Sequence, residues 1–160
     1  MTAVVDTSVL VALIHPEDAH NKGASTLLAT AAEAGALVIN DIVYSELGAN
    51  EYFDDPDGLD YFLSDIGVEL RDIGRSAAFR AGEQFSAYLG QRGDGLQCPR
   101  CGNETTLECP SCGTRLAPRQ HIAADFVVGA HAEQEDALLT FDEGFYRDYF
   151  DVDVRTIGDD

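Results

Sequence analysis

Four short apolar runs constrain this chain more than any other feature: residues 3–5, 36–39, 68–70 and 137–140. Each is too short for a stable helix, all but Val68-Glu69-Leu70 lack polar alternation, and each is separated from the next by segments of helical length. A strand without alternation is buried on both faces, and strands alternating with helices assemble into a parallel sheet between two helical layers. The expected fold is therefore α/β, a three-layer α/β/α domain over 1–157. Helices are expected over 7–14, 18–33, 41–52, 57–65, 76–89 and 119–133, with His15-Pro16 separating the first two, and a fifth strand over 152–155. In such sheets working residues gather at the carboxyl ends of the strands.

A length of 160 residues suits one domain with a small insertion, and 45% apolar with 24% charged residues excludes a disordered chain. No apolar run reaches the roughly 18 residues of a membrane span, and residues 1–6 lack a basic leader region. The expectation is a soluble cytoplasmic protein without a membrane partner. Its formal net charge is −19, and Lys22 is the single lysine among ten cations. Acid-rich, lysine-poor chemistry fits a halophile, where a Debye length of about 3 Å at 1 M salt suppresses self-repulsion. The charge does not exclude a nucleic-acid substrate, because molar salt weakens phosphate attraction for every protein. Seven of the ten cations fall within 71–119, against five acids there, so an anion has one favoured place to meet the chain.

The four cysteines read Cys98-Pro-Arg-Cys101-Gly and Cys109-Pro-Ser-Cys112-Gly, with seven residues between Cys101 and Cys109. Two such knuckles turn backbone amides toward thiolates and close a tetrahedral Zn²⁺ site with no open position, so the metal is structural. Two disulfides or four free thiols are the alternatives. The matching Pro and Gly positions and the lack of a secretion signal favour zinc. Residues 93–118 then form a zinc ribbon inserted into the larger domain, folded by its metal because it is too small for a core.

Acids occupy the strand ends. Asp6 follows the first strand and Asp142 the fourth, although an Asp before a helix is also a favoured N-cap. Asp125 lies in Ile122-Ala123-Ala124-Asp125-Phe126-Val127-Val128-Gly129-Ala130, a helix apolar on nearly every face, where a lone carboxylate is costly unless paired or bound to metal. Glu46, in Ile42-Val43-Tyr44-Ser45-Glu46-Leu47, is a weaker case and reads alone as a solvated helix position. Rival chemistries lack their parts. There is no phosphate-cradling glycine motif. A receiver domain lacks its late lysine, and a haloacid-dehalogenase-type phosphatase would need Asp where Ser8 stands. His15, His20, His121 and His131 show no ligand spacing and read as surface or satisfied core groups.

Val4-Val5-Asp6-Thr7-Ser8-Val9-Leu10, Ser45-Glu46-Leu47, Ile122–Ala132 with Asp125, and Leu139-Thr140-Phe141-Asp142-Glu143-Gly144-Phe145-Tyr146 together resemble PIN-domain nucleases. They resemble most the toxin ribonucleases of VapBC toxin–antitoxin pairs. The resemblance runs from Thr2 to about Ile157 and leaves the ribbon as extra. It implies a divalent-metal-dependent endoribonuclease, with a cognate antitoxin and a homodimer as partners, whose acidic quartet falls on Asp6, Glu46, Asp125 and Asp142. Many relatives carry a further Asp where this chain has Gly144, which bears on whether one or two metals bind. Ribosomal-RNA-processing PIN nucleases also carry a zinc ribbon, but after the PIN domain.

Hard oxygen ligands suit Mg²⁺ or Mn²⁺. Asp6 and Asp125 are expected to ligate directly, Glu46 and Asp142 directly or through water, and Thr7 or Ser8 to orient a water at the substrate. Because acids repel RNA, Arg100 and Arg115 of the ribbon are expected to contact phosphates. The competing expectations are a ribosomal-RNA-processing enzyme and a non-catalytic RNA- or partner-binding module built on the ribbon.

Overall fold

β1 (Thr2–Val5) is the middle strand of a five-stranded sheet, with parallel neighbours on both sides. The computed structural model describes residues 1–91, 96–97, 104–116 and 123–157. After β1 come α1 (Thr7–Ile14), α2 (Asn21–Ala34), β2 (Ala36–Ile39), α3 (Asp41–Gly48), α4 (Pro56–Asp65), β3 (Val68–Leu70) and α5 (Gly74–Gln91). Two small hairpins follow, β4 (Leu96–Gln97) with β5 (Glu104–Thr105) and β6 (Leu107–Glu108) with β7 (Arg115–Leu116). The chain then forms α6 (Ala123–Ala132), β8 (Ala137–Leu139), α7 (Glu143–Tyr149) and β9 (Val154–Arg155).

The strand order is β3-β2-β1-β8-β9, all parallel. Chain order runs outward from β1 through β2 and β3 on one side, and through β8 and β9 on the other. The carboxyl end of β1 is thus the switch point where an open parallel sheet leaves a crevice for a ligand. Val4, Val5, Leu37, Val38, Ile39, Leu138 and Leu139 are all but fully buried, which is why these runs show no polar alternation. With helices packed against it, the sheet has the three-layer α/β/α architecture read from the sequence.

Several boundaries differ from expectation, each through a local hydrogen bond. α2 starts at Asn21 instead of 18, because the Asp18 side chain accepts from His20 N at 2.7 Å and holds 15–20 in turns. Asn21 Nδ2 then donates to the carbonyls of Ala12 and Leu13 at the end of α1. α3 stops at Gly48 instead of 52, because Asn50 turns the chain, its side chain accepting from Tyr52 N. α5 runs longer than 76–89. The fourth apolar strand ends at Leu139 and the fifth is only Val154–Arg155. α7 was not expected at all; its sequence is short, mixed and interrupted by Gly144. The expected start of the 119–133 helix falls partly outside the described residues.

α6 packs tightly on the chain after α7. A Cβ at Gly129 would stand 2.3 Å from the Phe150 ring, so glycine is what lets the helix approach. Phe126 sits at the centre of this contact, within 5.0 to 6.0 Å of the rings of Phe85, Tyr88, Phe145, Tyr149 and Phe150. Among the described residues, no helix is long and apolar enough to cross a membrane.

Candidate active site

Asp6 and Asp142 hold the N-cap positions of α1 and α7, yet neither side chain makes a capping hydrogen bond. The ordinary explanation for an Asp before a helix therefore fails at both. Asp6 is instead the anchor of a polar cluster at the carboxyl end of β1. It is 8% exposed, and its Oδ2 accepts from Ser8 Oγ and Thr140 Oγ1, each at 2.7 Å. Tyr146 donates a long 3.4 Å bond to Oδ1. Thr140 also accepts from the backbone N–H of Asp142 at 3.0 Å, so one hydroxyl fixes the carboxylate of Asp6 and the chain entering Asp142.

Glu46 projects from α3 on the neighbouring strand's crossover, exposed as a solvated position would be, but it accepts a short hydrogen bond from Thr7 Oγ1. Asp125 lies in the first turn of α6, half-buried. Burial, and then the carboxylates of Asp6, Glu46 and Asp142, push it up to about 6 from an ordinary 3.8. The shift reflects convergence: three acids from three other segments of the chain act on half-buried Asp125, and the charges acting on it all have one sign. Tyr146 is raised by burial first and then by Asp6, Asp125 and Asp142, so its phenol stays a neutral donor.

Thr7 and Ser8 lie here as expected, but their hydroxyls are engaged with Glu46 and Asp6, so they orient carboxylates. Thr140 and Tyr146 were missed. Thr140 stood within the motif Leu139-Thr140-Phe141-Asp142, and its spacing of two from Asp142 was the available signal. Tyr146 depends on α7, which the sequence pattern hid. The expectation that every histidine is solvated or satisfied is corrected at His131, which is 2% exposed with Nε2 lacking a hydrogen-bond partner.

Among the described residues, no three His, Cys, Asp or Glu side chains form a ready-made metal cage. An open set of hard oxygen donors with unbalanced negative charge nevertheless suits Mg²⁺ or Mn²⁺, which keep several waters and take only a few protein ligands. Of the expected zinc ligands, Cys98 and Cys101 lie outside the described residues, as does Arg100. Cys109 and Cys112 lie on one knuckle and are not joined to each other by a disulfide. Cys109 N–H donates to Thr114 O and Gly113 N–H to Cys109 O, each at 2.8 Å, with Gly113 left-handed at φ 69°. Hydrogen bonding from the Thr114 side chain, then its backbone, then Cys109 holds the Cys112 thiol below the usual range, toward the thiolate that ligates metal. Arg115 stands in β7 opposite Glu108.

A parallel sheet of order 3-2-1-8-9 with acids at its switch point is the PIN-like α/β/α fold. No protein-family model matches the sequence, and no curated protein matches it. Solved structures do match, over nearly the whole chain. A chain of the VapBC2 complex from Rickettsia felis, solved bound to a DNA fragment from its promoter, superposes with a TM-score of 0.62 at 18% identity, covering 98% of both chains. VapC20 from Mycobacterium tuberculosis, described as a sarcin–ricin-loop-cleaving toxin, gives 0.55 at 16%, covering 93% of this chain and 96% of its own. DNA-bound VapBC from Salmonella typhimurium gives 0.56 at 14%, covering 98% of both. At these identities the similarity is one of fold.

Proposed function

We propose that the protein is a divalent-metal-dependent endoribonuclease of the toxin type, cytoplasmic and paired with an antitoxin protein. The observation that carries this reading is the gathering of Asp6, Glu46 and Asp142 around half-buried Asp125, with no capping bond from Asp6 or Asp142 and, among the described residues, no arginine paired to any of the four. Unpaired acids gathered at a switch point destabilise a fold unless a cation joins them. Asp6 and Asp125 would hold Mg²⁺ or Mn²⁺, with Glu46 and Asp142 ligating directly or through water. When bound, such a cation lowers the pKa of a water and offsets the negative charge that develops on a phosphodiester under attack.

The chain's own groups do the positioning. Ser8 and Thr140 occupy Asp6 Oδ2, leaving Oδ1, with its long Tyr146 contact, as the oxygen best placed for a further ligand. Thr7 aims Glu46 across from α3. Acids repel an RNA backbone, so the strand needs another surface, and Arg100 and Arg115 of the ribbon are the proposed phosphate contacts. The ribbon itself, inserted over 93–118, is proposed to fold on one structural Zn²⁺ held by Cys98, Cys101, Cys109 and Cys112.

The test is cleavage of labelled single-stranded RNA in Mn²⁺ at molar salt. Wild type should produce internal cuts that stop on chelation, and Asp125→Asn should produce none while keeping its fold. Equal cleavage by both proteins would remove the acidic site from the reaction and return the ribbon-based binding module as the better reading.

A further inference from the structure

Asn40 is wholly buried at the end of β2, and its Oδ1 accepts from Ile42 N–H at 3.0 Å and Val43 N–H at 3.1 Å, capping α3. Those two bonds settle which end of the amide faces inward. Nδ2, a donor only, lies 3.4 Å from Nδ1 of His131 on α6. Nδ1 must therefore be the acceptor, and the proton of the neutral ring sits on Nε2. Nε2 in turn is buried without a hydrogen-bond partner, 4.0 Å from Glu135 Oε1, and Glu135 is held by Arg71 at 3.0 Å. Burial holds the ring below the ordinary histidine range; Glu135 opposes this and Arg71 assists.

A buried donor without a partner is costly to the fold. A residue serving only to fill this position would be apolar, as Ala130 and Ala132 beside it are. The polar contact also joins two informative elements. α3, whose start Asn40 caps, carries Glu46, and α6 carries Asp125.

We propose that Asn40 and His131 are positioning residues that lock the start of α3 to α6 and so set the spacing of Glu46 and Asp125 for a divalent cation. The role toward the cation rests on the nuclease reading; the lock between the helices does not.

The experiment compares His131→Leu with His131→Asn, whose side-chain oxygen can stand where Nδ1 stands. Asn40→Ser serves as a third variant, keeping a capping oxygen while deleting the Nδ2 donor, and covers the case in which His131→Leu fails to fold. Two quantities are read on the full chain: amide hydrogen exchange at Ile42 and Val43, and Mn²⁺ affinity by titration. His131→Leu should speed exchange at both amides and weaken Mn²⁺ binding by about tenfold, the lower end of what outer-shell partners of a metal site contribute. Asn40→Ser should weaken Mn²⁺ binding likewise, and His131→Asn should restore both readings. Wild-type exchange and affinity in His131→Leu, or a His131→Asn variant as impaired as the leucine, would overturn the lock. If wild type binds no Mn²⁺, the nuclease reading fails, and exchange at Ile42 and Val43 still decides the lock. If Mn²⁺ binds but His131→Leu changes nothing, the lock fails and the nuclease reading stands.

Discussion

Replacing Asp125 with Asn keeps the side chain's shape and removes one charge from a crowd of like charges, so the metal-free protein should become more stable. Its carboxyl is pushed from 3.8 to about 6, first by burial and then by Asp6, Glu46 and Asp142. Each unit corresponds to about 1.4 kcal/mol between protonation states, which bounds the penalty at about 3 kcal/mol. Asp125 is only half-buried, and screening by solvent reduces this to about 1 kcal/mol. For a domain of this size that is a gain of about 2–4 °C in Tm. The sign follows from linkage. A raised folded value means the native state keeps its proton longer than the unfolded chain does. The penalty is absent below 3.8, grows as pH rises toward about 6, and is complete above it. Thermal unfolding followed by circular dichroism, with chelator present, should therefore show Asp125→Asn above wild type at pH 8 and level with it near pH 4. Adding Mn²⁺ at pH 8 should raise wild type and leave the variant unmoved. A variant less stable than wild type by the same margin at both pH values would refute the reasoning, since the carboxylate would then be making favourable contacts.

Three further outcomes follow from packing, charge and the ribbon. Gly129→Ala should cost about 1–3 kcal/mol in urea unfolding, because its Cβ would stand 2.3 Å from the Phe150 ring and the aromatic cluster must shift. Glu133→Gln should cost about 1 kcal/mol at pH 7 and progressively less as pH falls below 4.5. Arg80, 2.8 Å away, holds Glu133 below its ordinary 4.5, so its contribution is present above that value and is lost as pH falls through the folded one. Cys109→Ser should abolish binding of the zinc proposed for the ribbon, measured by elemental analysis, while the parallel sheet keeps its cooperative unfolding; loss of that transition would make the ribbon integral to the domain.

The sheet was legible because β1, β2 and β8 are buried on both faces and so carry unbroken apolar runs, whereas the edge strand β3 exposes Glu69 and Leu70. Helix ends were less so, since Asp18 and Asn50 each divert the chain through a single side-chain hydrogen bond that periodicity does not register. α7 escaped for a related reason: Glu143-Gly144-Phe145-Tyr146-Arg147-Asp148-Tyr149 has no clear apolar stripe, and Tyr146 went with it. Asp125 could be singled out because a carboxylate in an apolar helix violates local expectation, and Asp6 and Asp142 because they follow strands at the edge where working residues gather. Whether Asp6 and Asp142 were caps could not be read from sequence, because capping depends on where the side chain turns. The Asn40–His131 contact joins residues 91 positions apart, and no local pattern links them.

One acidic crevice is proposed both to bind a divalent cation and to cut RNA. The most direct measurement is Mn²⁺ bound per chain and RNA cleavage rate, taken on the same samples across a Mn²⁺ titration at molar salt, for wild type, Asp6→Asn and Asp125→Asn. The account predicts that binding and cleavage rise together in wild type and that both are lost in each variant, with folding intact by circular dichroism. Cleavage that persists in the variants, or Mn²⁺ binding in wild type with no cleavage of any RNA offered, would contradict it.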